Sequence, residues 1–71
     1  MKVTTHTDKT VGDAIRDKRK ERGLTQTQLA RLVGTTPGAI SRWETGDREP
    51  TVVMYEKLMR AMGVEIVAFD K

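Results

Sequence analysis

Between Thr10 and Gly63 the chain repeats one signal four times: a threonine, a short apolar series at helical spacing, then a glycine. A threonine oxygen can accept from the free N–H groups that begin a helix, and glycine takes up the left-handed conformation that commonly ends one. Thr10 with Asp13 and Thr25 with Gln28 have the spacing of capping boxes. Thr36 stands before Pro37, whose missing N–H costs nothing in a first helical turn, and Pro50-Thr51 opens the last unit. Helices are therefore predicted from Val11 toward Gly23, from Thr25 to Gly34, from Thr36 to Gly46 and from Pro50 to Gly63. The second and third are joined by only about three to four residues, a connection that makes two helices meet steeply.

Their apolar positions define the expected core: Val11, Ala14 and Ile15 in the first helix; Leu29, Ala30 and Val33 in the second; Ile40 and Trp43 in the third; Met54, Leu58, Ala61 and Met62 in the fourth. Ala30 falls where the second and third helices cross, and a larger side chain there would part them. Gly34 supplies the left-handed backbone that a residue with a Cβ resists.

At 71 residues this is one small domain, below the size at which a core alone gives comfortable stability. With no cysteine and a single histidine, His6, neither disulfides nor a Cys/His zinc site can supplement it, which leaves oligomerisation. The opening MKVTTHTDKT lacks the apolar core of a signal peptide and no apolar run reaches the length of a membrane span, so the expected location is cytoplasmic, with no membrane partner. The net charge of +3 is uneven. Residues 1 to 40 carry eight Lys/Arg against four Asp/Glu, and residues 41 to 71 carry five against six. A basic N-terminal half is consistent with an anionic partner.

Residues 1–9 are polar and unpatterned and read as a tail or arm. Residues 64–71, VEIVAFDK, change period: Val64, Ile66 and Ala68 alternate with Glu65, Val67 and Phe69. That is a strand pattern without a strong partner strand in the chain. Pairing with the same strand of a second subunit, through Val64, Ile66, Val67 and Phe69, would satisfy it and give a two-fold dimer. Residues 10–63 are then the helical domain proper.

One position conflicts with simple patterning. Ile40, Trp43 and Glu44 share a helical face, so a carboxylate is set among core residues. Arg19, four residues after Ile15, brings a guanidinium to the core side of the first helix. The two either form an ion pair or each reach out to solvent.

Taken together, Thr25-Gln26, Leu29-Ala30, Gly34, Ile40-Ser41, Trp43-Glu44, Gly46 and Pro50 resemble, at fixed spacings from about Ile15 to Val64, the helix-turn-helix of the lambda-repressor-like (Xre/Cro) family of DNA-binding regulators. The resemblance implies an all-α fold of four to five helices with a short C-terminal β-strand pairing across a dimer. It also implies an Arg19–Glu44 pair. It places the third helix in the major groove of a palindromic operator, with Thr36, Pro37, Gly38, Ser41 and Arg42 toward the bases. Pro37 and Gly38 depart from the commoner Gln or Asn, offer no side-chain donor and let the helix sit deep. Arg42 is then the chief reader, suited to guanine O6 and N7, and DNA shape supplies the rest. Gln26 is implied to contact a phosphate and brace the third helix, and Arg48 to contact a phosphate beside Asp47. Lys18, Lys20, Arg22 and Arg31 are expected to be solvated, and Trp43 and Tyr55 to lie in the core or an interface.

The ending LMRAMGVEIVAFDK resembles the C-terminus of HipB-type antitoxins. That implies an autoregulating repressor that also holds a toxin such as a HipA-like kinase. The alternatives are a free-standing phage-type or host repressor, and an interaction adaptor that has lost DNA binding. An enzyme is not expected, and no cofactor: His6 has no cysteine or clustered carboxylates with which to build a nucleophilic or metal site.

Overall fold

The computed structural model describes residues 10–64. Four helices follow in order: α1 Val11–Glu21, α2 Gln26–Val33, α3 Pro37–Thr45 and α4 Val52–Ala61. Each is opened by its threonine. Thr10 and Thr25 accept from the backbone N–H of Asp13 and Gln28 at 3.0 Å, and the Asp13 and Gln28 side chains accept in return from the backbone N–H of Thr10 and Thr25. Thr36 and Thr51 cap α3 and α4 through the N–H groups of Ala39 and Met54. Each such cap contributes about 1 kcal/mol, which matters for helices of only 8 to 11 residues.

α3 packs on both α1 and α2, and α4 closes the far side against α2 and α1. Every helix gives side chains to one core: Ile15 from α1, Leu29, Ala30 and Val33 from α2, Ile40 from α3, Leu58 and Met59 from α4, with Met62 just beyond it. Fully burying one of the larger of these contributes about 1.5–3 kcal/mol. Ala30, 1% exposed, lies where α2 meets its neighbours. Gly34 caps α2 at φ +77°, and Thr35 N–H bonds back to the Ala30 carbonyl at 2.9 Å, so the chain reverses within three residues before α3 starts.

Some expectations shift. α1 ends at Glu21, two residues short of Gly23, because the backbone of Arg22 to Leu24 turns back onto the carbonyls of Lys18, Arg19 and Lys20. Val11 is 41% exposed and outside the core. Met59 is buried, while Met54 and Ala61 are half-buried on the edge of the cluster. Val64 packs on that cluster and its N–H bonds the Met59 carbonyl at 2.9 Å. The expected strand from Glu65 on, with Ile66, Val67 and Phe69, lies outside the described residues, as do the N-terminal arm and the weak strand candidate at Lys2 to Thr5. No helix is long and apolar enough to cross a membrane among the described residues.

Candidate nucleic-acid interface

Glu44 is 6% exposed and fully engaged. Its Oε2 accepts from Arg19 Nε at 2.6 Å, and its Oε1 from Arg19 Nη2 at 3.0 Å and from Gln26 Nε2 at 3.1 Å. Arg19 Nη1 donates to the Leu24 carbonyl at 2.9 Å. One carboxylate therefore ties α3 to α1, to the start of α2 and, through Arg19, to the loop between them. The bond to Glu44 raises the affinity of the Arg19 guanidinium for its proton, against the opposing effect of burial. A two-pronged pair with its remaining donors satisfied is the arrangement in which a charge can stay inside a protein.

The network fixes the posture of α3. Its beginning is set by the turn at Gly34 and its C-terminal half by Glu44, so the outer face is held rigidly. On that face Thr36, Pro37, Gly38 and Arg42 are exposed and Ser41 is half-buried. The Thr36 hydroxyl is occupied as a cap. Around Gly38 the space is open: a Cβ there would meet only Thr36 Oγ1, at 4.0 Å. Gln26, at the first turn of α2, is half-buried with its amide anchored on Glu44.

Arg48 belongs to the same region. Beyond Gly46 the backbone folds back, and Arg48 N–H bonds the Arg42 carbonyl at 3.2 Å, which sets Arg42, Arg48, Trp43 and Ala39 around one shallow groove. Trp43 was expected to lie in the core or an interface. It is half-buried, with one part on the core and another lining this groove. Its position at the last full turn of α3, next to the loop, was the available sequence signal. Elsewhere Arg16 pairs with Asp13 at 2.9 Å and Lys18 with Glu21 at 2.8 Å, surface pairs of small energetic weight. Arg22 is exposed, as expected, with its guanidinium beside Gly63.

The helix-turn-helix family model (HTH_3) matches residues 15–69. An uncharacterized HTH-type transcriptional regulator of Methanothermobacter thermautotrophicus is 43% identical over 51 residues, 72% of this chain and 74% of that one. Multiprotein-bridging factor 1 of Candida albicans is 41% identical over 59 residues, 83% of this chain. The chain spans only 39% of that longer protein. Among solved structures, a chain of the HipA-HipB-O2-O3 complex is similar in fold, with a TM-score of 0.68 at 23% identity, covering 99% of this chain and 96% of that one.

Proposed function

Because this chain belongs to the helix-turn-helix family, we propose that it is a sequence-specific DNA-binding transcriptional regulator acting as a repressor. The observation that carries this reading is the outer face of α3: a rigidly braced helix whose exposed start is small, Pro37 and Gly38, with Arg42 beyond it. In this reading α3 lies in the major groove, Arg42 reads guanine, Ser41 and Thr36 approach neighbouring base edges or backbone, and Gln26 and Arg48 meet phosphates. Two subunits present their α3 helices to half-sites of a palindrome one turn apart, roughly 34 Å. Residues 1–9 form an arm, residues 10–63 the DNA-binding domain and residues 64–71 the dimerisation strand, through Val64, Ile66, Val67 and Phe69.

We further infer that the repressor is the antitoxin of a toxin pair, with a HipA-like kinase as the partner. The similarity in fold to a chain of the HipA-HipB-O2-O3 complex over nearly the whole length supports this. A second reading is favoured by the likeness to Multiprotein-bridging factor 1: a helix-turn-helix used to join proteins, without a free-standing repressor role.

The deciding experiment is fluorescence anisotropy of the protein against DNA from upstream of its own gene and against a scrambled duplex, across a salt series. Strong preference with a steep salt slope supports the repressor, and equal weak binding to both rules it out in favour of the bridging role. Arg42→Ala is expected to lower affinity for the preferred site by about 1–3 kcal/mol and to relax the preference at one base position. An adaptor would keep its partner affinity unchanged by this substitution. Deleting residues 64–71 is expected to shift the protein toward monomer in light scattering and to weaken operator binding in parallel. A truncated chain that stays dimeric would refute strand pairing.

A further inference from the structure

The groove beside α3 is built from donors. It is lined by Arg42, Arg48 and Trp43, with only Ala39 besides. Neither guanidinium has a carboxylate partner among the described residues, whereas Asp13, Asp17, Glu21 and Glu44 are all engaged with bases elsewhere. Asp47 and Glu49 belong to the same loop and are exposed, but neither lines the groove.

Trp43 adds a third donor. No buried side-chain nitrogen or oxygen among the described residues lacks a hydrogen-bond partner. The indole N–H has no partner there, so its nitrogen reaches the surface. The site is also preset. Thr45 Oγ1 and Arg48 N–H both donate to the Arg42 carbonyl at 3.2 Å, and Asp47 N–H donates to Thr45 Oγ1 at 3.4 Å, which holds the loop against the end of α3.

Two guanidinium side chains without a carboxylate partner and a tryptophan line one groove that has no acceptor side chain, a lining suited to an anion. Arg42 forms one wall of the groove and also stands on the outer face of α3, so the anion must lie next to whatever α3 faces. We propose that the groove clamps one backbone phosphate of bound DNA, held by the Arg48 guanidinium and the Trp43 indole N–H. This rests on the DNA-binding reading above and adds Trp43 to the interface. Phosphate contacts fix the register of a protein on the duplex without reading sequence, so the clamp positions Arg42 for its base.

The chain has a single tryptophan, and its emission reports directly on the groove. The test titrates full-length protein with the upstream duplex, the scrambled duplex and inorganic phosphate, following Trp43 fluorescence and anisotropy of labelled DNA. Arg48→Ala is expected to weaken both duplexes by the same factor, roughly tenfold, and to reduce the salt slope by about one phosphate contact. Trp43→Phe, which keeps the apolar ring and removes the donor, is expected to weaken both duplexes about fivefold with the salt slope unchanged, because a neutral N–H displaces no counterion. If Trp43→Phe fails to fold, the emission of Trp43 in the parent protein decides: emission unchanged on duplex binding overturns the clamp. Parent-like binding by both variants overturns the clamp while leaving the DNA reading intact. An emission change with inorganic phosphate equal to that with DNA also overturns it, making the groove a free-anion site. Absence of duplex binding by the parent protein removes both the clamp and the reading beneath it.

Discussion

Replacing Glu44 by alanine is expected to lower stability by about 3–5 kcal/mol, a large share of what a domain of this size possesses. The loss does not measure the strength of an ion pair. It arises because Arg19, whose side chain is 11% exposed, would retain only the Leu24 carbonyl as acceptor, and the Gln26 amide would lose its anchor. Taking both charges away should therefore be far milder than taking one: the double substitution Arg19→Met with Glu44→Leu is expected to recover most of the loss. Urea unfolding of the parent, both single variants and the double variant measures the coupling directly. A cost below about 1 kcal/mol for Glu44→Ala would mean that Arg19 is satisfied by solvent, and the network would not be what holds α3. The double variant also separates folding from function. It should remain folded yet bind DNA more weakly, because Gln26 no longer has a fixed orientation.

Alanine at Gly12 should be nearly as damaging, although helix propensity alone favours it by about 1 kcal/mol. Gly12 is buried in the first turn of α1, where the helix touches the end of α3. A Cβ at this position would lie 2.4 Å from the Trp43 carbonyl oxygen and 2.7 Å from that of Glu44. Both are backbone atoms of a helix and cannot swing aside as a side chain would, so α1 must move off α3. The steric cost exceeds the propensity gain, and the expected net loss is about 3 kcal/mol, at the upper end of overpacking effects. In a domain of this length that corresponds to a melting temperature lower by on the order of 15 °C. Gly38→Ala provides the contrast. It occupies an equivalent early position in α3, but the new methyl would meet only Thr36 Oγ1, at 4.0 Å, so the same substitution should be neutral or stabilising by up to about 1 kcal/mol. Thermal melts of the two variants should move apart, and a Gly12→Ala protein that melts with the parent would disprove the close approach of α1 to α3.

The starts of all four helices and the ends of α2 and α3 were legible in the sequence because they depend on local chemistry, whereas α1 and α4 end before Gly23 and Gly63, at Glu21 and Ala61. Thr10, Thr25, Thr36 and Thr51 cap through their own neighbours three residues on, and Gly34 and Gly46 end helices wherever they occur. The core was legible at Ile15, Leu29, Ala30, Val33, Ile40, Leu58 and Met62, since burial on a helix follows its period. The spacing of Arg19 and Glu44 pointed to an ion pair, with the escape of both charges to solvent as the alternative. Only the packing of α1 on α3 brought the guanidinium within 2.6 Å of the carboxylate and drew in Gln26 as a third member. Gly12 carries no sequence signal of its importance, because its neighbours, the carbonyls of Trp43 and Glu44, are more than thirty residues away and every residue has a carbonyl. Trp43 was read from its helical face alone, and its second surface exists because the loop beyond Gly46 folds Arg48 back beside Arg42. The sequence by itself thus determined where the helices begin and turn their apolar sides, since those choices are made within a few residues. The tertiary structure decided which groups from distant helices meet, because a contact between remote segments depends on how whole helices cross.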